Sequence, residues 1–155
     1  TGREAALGSM NPVLAAGHVI IAGKSGQGYL LEPARLGGIG GGTAFPACAA
    51  FGAAAVQGDV VYLPCADGTR AYRIGSRVTE LWHASHTGGP PVLAGGRVWV
   101  TDYDNGVLYS LDPSTGTAVR QIQVGTLPHC ATPTPAGNKL FLGTANGVAV
   151  ISVTS

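Results

Sequence analysis

Short apolar runs separated by glycine-centred turns recur along the whole chain. In the clearest of these runs, Val98 and Val100 alternate with Trp99 and Thr101. Alternation with a period of two predicts a half-buried strand, and a glycine or Asx-Gly turn between two such runs predicts a β-hairpin. No long segment carries the period of a helix. We therefore expect an all-β protein made of short antiparallel strands.

The chain repeats one phrase four times, in which two glycine or Asx-Gly turns separate three apolar runs. The copies read PVLAAGHVIIAGKSGQGYLL from Pro12, AAVQGDVVYLPCADGTRAYRI from Ala54, PVLAGGRVWVTDYDNGVLYSLD from Pro91 and TPAGNKLFLGTANGVAVISV from Thr134. Aligning His18, Asp59, Arg97 and Asn138 separates the copies by 41, 38 and 41 residues. A repeat of about 40 residues is typical of one four-stranded β-propeller blade. The sequence therefore predicts about four blades, at approximately 10–43, 44–85, 86–125 and 126–155.

The fourth strand of each predicted blade is unequally clear. We expect it at 118–124 in the third copy and at 78–84 in the second, whereas 36–43 in the first copy is mostly glycine and fits a loop. Residues 1–8 resemble the Thr-Gly turn and strand at 115–119, so we interpret them as the fourth strand of a preceding or closing blade. Either the four blades close on themselves or they are part of a larger ring. We favour the larger ring.

The most specific motif lies in the third copy. Residues 106–116 read GVLYSLDPSTG and follow GRVWV at 96–100. This pattern resembles the repeat of the pyrroloquinoline-quinone-like, or quinoprotein, β-propeller family. The resemblance implies a tryptophan that follows the Thr-Gly turn and packs between blades. Trp82 occupies that place in the second copy, and Arg120 stands there in the third.

The resemblance implies a fold rather than an activity, because the same repeat occurs in dehydrogenases, assembly scaffolds and sensor domains. Quinoprotein dehydrogenases of this family carry adjacent paired cysteines beneath the quinone, a Ca²⁺ ion and a catalytic Asp. No two of the three cysteines here are adjacent, and no residue matches as a catalytic base. We expect no cofactor and no catalytic residue in this segment. Pyrroloquinoline quinone and Ca²⁺ would enter only in a longer parent protein.

Composition and charge exclude two classes of interaction. Nine basic and eight acidic residues leave a formal charge of +1, and they are scattered rather than clustered. The chain therefore lacks the basic stripe that nucleic acid binding requires. No uninterrupted apolar stretch approaches the roughly 20 residues of a membrane span. We expect neither a nucleic acid partner nor a membrane span.

Cys48 and Cys65 flank the first hairpin of the second copy. Residue 50 would face Cys65, and Cys48 lies two residues further along on the same face. Diagonal neighbours are normally too far apart for a disulfide, but an irregularity in 49–55 would bring the two together, so both states stay open. A disulfide would indicate an extracytoplasmic protein: secreted, periplasmic or membrane-tethered through a parent segment. Cys130 would then be single or paired outside this segment.

The acidic run around Asp102 has the composition of a calcium loop. Asp102, Asp104 and Asn105 offer the oxygen atoms that Ca²⁺ prefers. However, Gly106 arrives one place too early for a helix-loop-helix calcium site. We interpret Asn105-Gly106 as the third copy's version of a turn that every copy contains.

Histidine and cysteine residues could in principle form a zinc site from His83, His86, His129 and Cys130. Residues three apart on a strand point to opposite faces, and so do residues one apart. No helix brings these side chains to one face. We therefore expect no metal and assign the histidines to surface or interface packing.

Two functional hypotheses remain. The first is a non-catalytic scaffold or binding domain that presents its inter-blade loops, 37–51, 85–91 and 125–133, to a protein or glycan. Its candidate contact residues are Phe45, Pro46, His86, His129 and Cys130. The alternative is a fragment of a quinone-dependent dehydrogenase whose cofactor site lies mostly elsewhere. Under both hypotheses the structural partner is the remaining blades of a larger propeller or a second copy.

Overall fold

The predicted all-β fold is confirmed. The structure is a computed structural model that describes residues 7–86 and 88–154. Within these ranges fifteen strands form four antiparallel sheets, three of four strands and one of three, and Leu7–Ser9 forms one 3₁₀ turn. No helix in the described residues has the length and apolar character needed to cross a membrane.

Each sheet keeps its strands in chain order and corresponds to one blade. The first blade contains β1 (Val13–Ala15), β2 (His18–Ala22), β3 (Gln27–Leu31) and β4 (Thr43–Pro46). The second contains β5 (Ala55–Gln57), β6 (Val60–Cys65), β7 (Gly68–Ile74) and β8 (Val78–Ala84). The third contains β9 (Val92–Ala94), β10 (Arg97–Asp102), β11 (Val107–Leu111) and β12 (Ala118–Gln123). The fourth contains β13 (Thr134–Ala136), β14 (Lys139–Thr144) and β15 (Gly147–Ser152).

The four blades form an open arc. Their first strands contact one another in the order β1, β5, β9, β13, so these strands lie on the inner side. Three buried apolar cores join the first blade to the second, the second to the third and the third to the fourth. Among the described residues no core joins the fourth blade to the first. A closed ring would need that fourth core, so the structure favours the larger ring.

The hairpins between first and second strands correct the repeat alignment by one residue in two copies. Each turn holds two residues, and the strand pairs that close it are Ala15 with His18, Gln57 with Val60, Ala94 with Arg97, and Ala136 with Lys139. The equivalent positions are therefore His18, Val60, Arg97 and Lys139. Asp59 and Asn138, which the sequence alignment chose, lie inside their turns.

The first blade has a fourth strand, and it lies after the glycine-rich segment. Residues 36–42 contain no strand, and β4 begins at Thr43, where the first blade was expected to end. Glycine weakens a strand interior, which explains why pairing resumes only in the Thr-Ala-Phe-Pro segment. Of the strand expected at 1–8, residues 1–6 lie outside the described residues, and the remainder belongs to the 3₁₀ turn.

Candidate functional site

Trp82 packs between the second and third blades, as the repeat pattern predicts. Its side chain is 8% exposed, and its Nε1 donates a hydrogen bond of 2.9 Å to the carbonyl oxygen of Pro113 in the third blade. Its ring lies against Tyr62, with 5.7 Å between ring centroids. Gly116 has φ +73, and a Cβ there would stand 2.5 Å from the indole ring. The Thr-Gly turn of one blade therefore receives the tryptophan of the blade before it.

Cys48 and Cys65 form a disulfide, with 5.7 Å between their Cα atoms. Cys65 faces Ala50 in an isolated β-bridge, which is the register expected from the sequence. The connection at 47–54 follows an irregular path, so Cys48 approaches Cys65 despite the two-residue offset. Both cysteines belong to the core between the first two blades. The bond ties the first inter-blade connection to the second blade.

The inter-blade connections meet around a cavity of about 410 Å³, which we call the loop cavity. Phe51 and Gly52 come from the first connection, Gly89 and Pro90 from the second, and His129 and Cys130 from the third. Ser9 and Lys24 complete the lining. Three connections that are far apart in the sequence therefore build one concave surface.

Thr101 holds two of these connections together. Its hydroxyl donates to the carbonyl oxygen of Ala131 at 2.7 Å and accepts from the Gly89 N–H at 3.2 Å. Gly88 and Gly89 lie so close to β10 that a Cβ on either would collide with Thr101. These two glycines allow the second connection to cross the end of β10 beside the third.

The predicted contact residues separate into exposed and buried positions. Pro46, His129 and Cys130 are exposed, and His129 and Cys130 line the loop cavity. His86 is half-buried and stacks on Tyr109, with 4.0 Å between ring centroids.

Phe45 does not belong to this set. It lies in β4 rather than in a loop, and its side chain is buried against Tyr72 of the second blade. Because side chains alternate along a strand, Phe45 points into the core while Pro46 points outward.

His129 and Cys130 form a polar pair at the loop cavity. The Cys130 Sγ lies 3.0 Å from His129 Nδ1, and Cys130 has the positive φ of 65°. The ring of His129 also contacts Tyr103, with 4.8 Å between centroids. Burial raises the pKa of the Tyr103 phenol, and the nearby Cys130 raises it further. The left-handed backbone turns both side chains toward the cavity, which their adjacent positions on a strand would forbid.

The acidic run at 102–106 forms a turn, as the repeat suggested. The Asp102 carboxylate accepts hydrogen bonds from the Asn105 backbone N–H at 3.0 Å and from its side-chain Nδ2 at 2.9 Å. Asp102 is buried, so its oxygens are committed to holding this turn. Across 7–86 and 88–154, no three His, Cys, Asp or Glu side chains form a group that could hold a metal ion.

The residues present do not fit a quinone cofactor site. Cys48 and Cys65 are separated by 17 positions in the sequence and join the first inter-blade connection to the second blade, whereas the quinoprotein pattern needs adjacent cysteines. The Asp102 oxygens are bonded within their own turn. No chemical step through the quinone is supported by this chain.

The first blade leaves one apolar face open. In the other blades, the second residue of the second strand points to the preceding blade and is fully buried: Val61, Val98 and Leu140 are each 0% exposed. The equivalent residue of the first blade is Val19, which is only half-buried. Ile21 lies on the same open face as Val19. Two residues of β3 extend this face, because Leu31 pairs with Val19 and Tyr29 pairs with Ile21. Residues that other blades bury are therefore only partly covered here.

The fourth blade leaves the opposite face open. The third residue of the second strand points to the following blade, and Ile20, Tyr62 and Trp99 are each 1% exposed at this position. Its equivalent in the fourth blade, Phe141, is 39% exposed, and Val150, which pairs with Phe141, is 53% exposed. An aromatic or aliphatic residue thus stands in every copy where only a following blade could bury it.

Comparison with solved structures identifies the class of fold. BamB from Moraxella catarrhalis matches at 19% identity and a TM-score of 0.74, over 94% of this chain and 50% of that one. The β-propeller domain of Myceliophteria thermophila Cps50 (Swd1) matches at 12% identity and a TM-score of 0.73, over 93% of this chain and 53% of that one. The computationally designed Ika8 protein matches at 15% identity and a TM-score of 0.69, over 93% of this chain and 45% of that one. The chain is a β-propeller arc that spans about half the length of these proteins.

Sequence comparison adds no family to this fold. A scan against protein-family models finds no match. A search of curated protein sequences finds none either. The quinoprotein resemblance therefore rests on the repeat residues around Gly106–Gly116 and on Trp82, and at these identities the solved structures establish the fold alone.

Sequence reasoning missed several residues of the loop cavity. Phe51 and Pro90 lie inside the predicted contact loops, so their position between blades was the available signal. Lys24 comes from the turn between β2 and β3, and only the assembled blade brings that turn beside the connections. The larger-ring interpretation already implied uncovered faces at the two ends of the arc, but the residues on them could not be named, because strand pairing decides which residues face the next blade.

Proposed function

We propose that this chain is a non-catalytic β-propeller scaffold, completed by further blades and carrying a partner on its inter-blade loops. The observation that carries the proposal is the pair of open faces. Phe141 is 39% exposed where its equivalents Tyr62 and Trp99 are 1% exposed. Apolar surface of this kind is typical of an interaction site, and here its residues match those of the inner blade interfaces. Further blades of the same repeat are the natural cover.

The length relationship supports completion of the ring. The chain aligns over 94% of its residues with BamB but covers 50% of that protein. The curvature of the four blades therefore matches half of a larger propeller. A propeller of about eight blades lies within the usual range of the fold. The open faces and the half coverage point to the same conclusion independently.

The loop cavity is the proposed partner site. Phe51 and Pro90 supply apolar contacts, and Lys24 and His129 supply polar ones. Binding loops on a rigid scaffold are the usual place for recognition in repeat folds. We propose a protein partner that inserts an apolar side chain between these loops. The Cys48–Cys65 disulfide supports an extracytoplasmic location, because such bonds persist in oxidising compartments.

Association of the isolated chain tests the scaffold. Its open faces have only each other to contact, so light scattering at micromolar concentration should give a mass above the 15.5 kDa of the monomer. Phe141→Asp places a charge on the open face and should return the mass to the monomer. Gln121→Asp, on the exposed outer strand of the third blade, is the matched control and should not. A monomeric wild-type chain, or equal effects of both variants, would contradict the proposal.

The partner site has its own test. Random peptides displayed on phage are selected on the wild-type chain, in the presence of an excess of the soluble Phe51→Ala/His129→Ala variant. Binders that survive this competition recognise the loop cavity, because the competitor retains every other surface. Recovery of no such binders after several rounds would refute the loop cavity as a peptide site. It would leave the result of the association experiment unaffected.

A further inference from the structure

The gap between the third and fourth blades differs from the gap before it. Trp82 pairs with Ala71 across the second blade and packs toward the third, where its Nε1 donates to the carbonyl oxygen of Pro113. The equivalent pair in the third blade is Ser110 with Arg120. Arg120 therefore stands where the preceding gap has Trp82. A cavity of about 270 Å³ lies beside it, lined among others by Arg97, Trp99, Ser110, Val119, Arg120 and Val153. We call it the arginine cavity.

Ser110 indicates that the arginine cavity receives a polar ligand. Ser110 is 0% exposed, and its Oγ has no hydrogen-bond partner among the residues that the structure describes. Buried hydroxyl groups in native proteins are nearly always bonded, so each exception requires an explanation. Ser110 lies on the wall of the cavity, between Trp99 and Arg120 in the sheet. A ligand in the cavity would give the hydroxyl its missing acceptor.

The two arginines give the cavity a positive charge. Arg97 Nη1 lies 3.2 Å from Asp112 Oδ2, and Arg120 Nη1 donates to the carbonyl oxygen of Ser152 at 2.9 Å. Arg120 also lies over Trp99, with 5.6 Å from Cζ to the ring centroid. These contacts orient both side chains, and a guanidinium has five N–H donors, so each can donate further bonds.

The charge balance matches a ligand with one negative charge. Arg97 and Arg120 contribute two positive charges, and Asp112, which pairs with Arg97 without lining the cavity, offsets one of them. Guanidinium groups bind carboxylates with two parallel hydrogen bonds, a geometry that suits one carboxylate. Val119 and Val153 form apolar walls beside the charged groups.

We propose that the arginine cavity binds a small monocarboxylate with an apolar body. The carboxylate accepts hydrogen bonds from the guanidinium groups of Arg97 and Arg120 and from the Ser110 hydroxyl. The apolar body lies against Val119 and Val153. The site depends on Ser110 and Arg120, which stand where the preceding gap has Ala71 and Trp82, so this set of polar groups is specific to the gap between the third and fourth blades.

Benzoate is the probe, and benzamide is its neutral counterpart of the same shape. Nitrogen-resolved NMR of the wild-type chain follows two indole N–H signals, that of Trp99 beside the cavity and that of Trp82 in the preceding gap. Millimolar benzoate should shift the Trp99 signal in a saturable way and leave the Trp82 signal unchanged. Benzamide should shift neither. No saturable shift, or equal shifts with both compounds, would overturn the proposal.

Three variants separate binding from structure. Arg97→Gln should weaken benzoate binding at least tenfold, whereas Arg73→Gln, which alters a similarly ion-paired arginine of the second blade, should not. Arg120→Trp should fill the cavity and abolish binding. Ser110→Ala removes the unpartnered hydroxyl, so it should raise the melting temperature of the free chain while weakening benzoate binding severalfold. Unchanged benzoate affinity in folded Ser110→Ala and Arg97→Gln would overturn the proposal.

Discussion

Replacing Trp82 by alanine tests whether a single aromatic side chain holds two blades together. The indole is 8% exposed, contacts Tyr62 and bonds to the carbonyl oxygen of Pro113. Replacing a buried tryptophan by alanine lowers the free energy of unfolding by about 3–5 kcal/mol. The loss of the hydrogen bond to Pro113 is included in this figure. For a domain of this size, a loss of about 4 kcal/mol lowers the melting temperature by about 8–16 °C.

Urea unfolding followed by circular dichroism measures this loss. Protein concentration is held constant, because association through the open faces would otherwise add to the apparent stability. Trp82→Phe is the matched control, since phenylalanine keeps an aromatic ring in the gap and loses the N–H donor. We expect it to cost about half as much as alanine. A loss below about 1 kcal/mol for Trp82→Ala would refute the role of this side chain as the contact between blades.

Three further predictions concern other contacts. In a Cys130→Ser background, replacing Cys48 and Cys65 by serine should lower the free energy of unfolding by about 3 kcal/mol, because the bond closes a loop of 17 residues; equal urea midpoints would contradict this. Burial, and then Glu80, raise the pKa of Tyr72 from 10.0 to about 12. The contribution of this phenol to the free energy of unfolding is therefore fully present below pH 10 and is lost as the pH rises toward 12. The free energy of unfolding of Tyr72→Phe should consequently fall less steeply between pH 10 and pH 12 than that of the wild-type chain. Gly116→Ala should destabilise the chain by about 2 kcal/mol more than Gly137→Ala, because both glycines have positive φ but only Gly116 lies against Trp82; thermal melts that coincide would exclude that contact.

The repeat made the local structure predictable. Glycine and Asx-Gly turns at regular spacing, with alternating residues between them, lead to hairpins whatever surrounds them. The resemblance to the quinoprotein repeat implied that Trp82 packs between blades, and its buried side chain and its bond to Pro113 confirm that position. The alignment was wrong by one residue at Asp59 and Asn138, since Gly58-Asp59 and Gly137-Asn138 form two-residue turns that strand pairing defines.

The candidate sites were less predictable than the strands. Phe45 was expected in a contact loop and lies in a buried strand, because pairing resumed immediately after the glycine-rich segment. His129 and Cys130 share the loop cavity because Cys130 has a left-handed backbone, which period-two reasoning does not anticipate. The disulfide was predictable only in part. The pairing of Ala50 with Cys65 followed from the hairpin register, whereas the approach of Cys48 depended on the path of the connection.

From its residues alone, this chain is an all-β repeat protein of about four blades, because turn chemistry and period-two alternation act over a few neighbouring positions. Whether the blades close into a ring depends on contacts between the first and fourth copies, which no local pattern records. The packed structure shows three inter-blade cores among the described residues and two apolar faces without a neighbour. Burial is a property of surfaces that meet in space, so the open faces and both cavities emerged only when the blades were stacked.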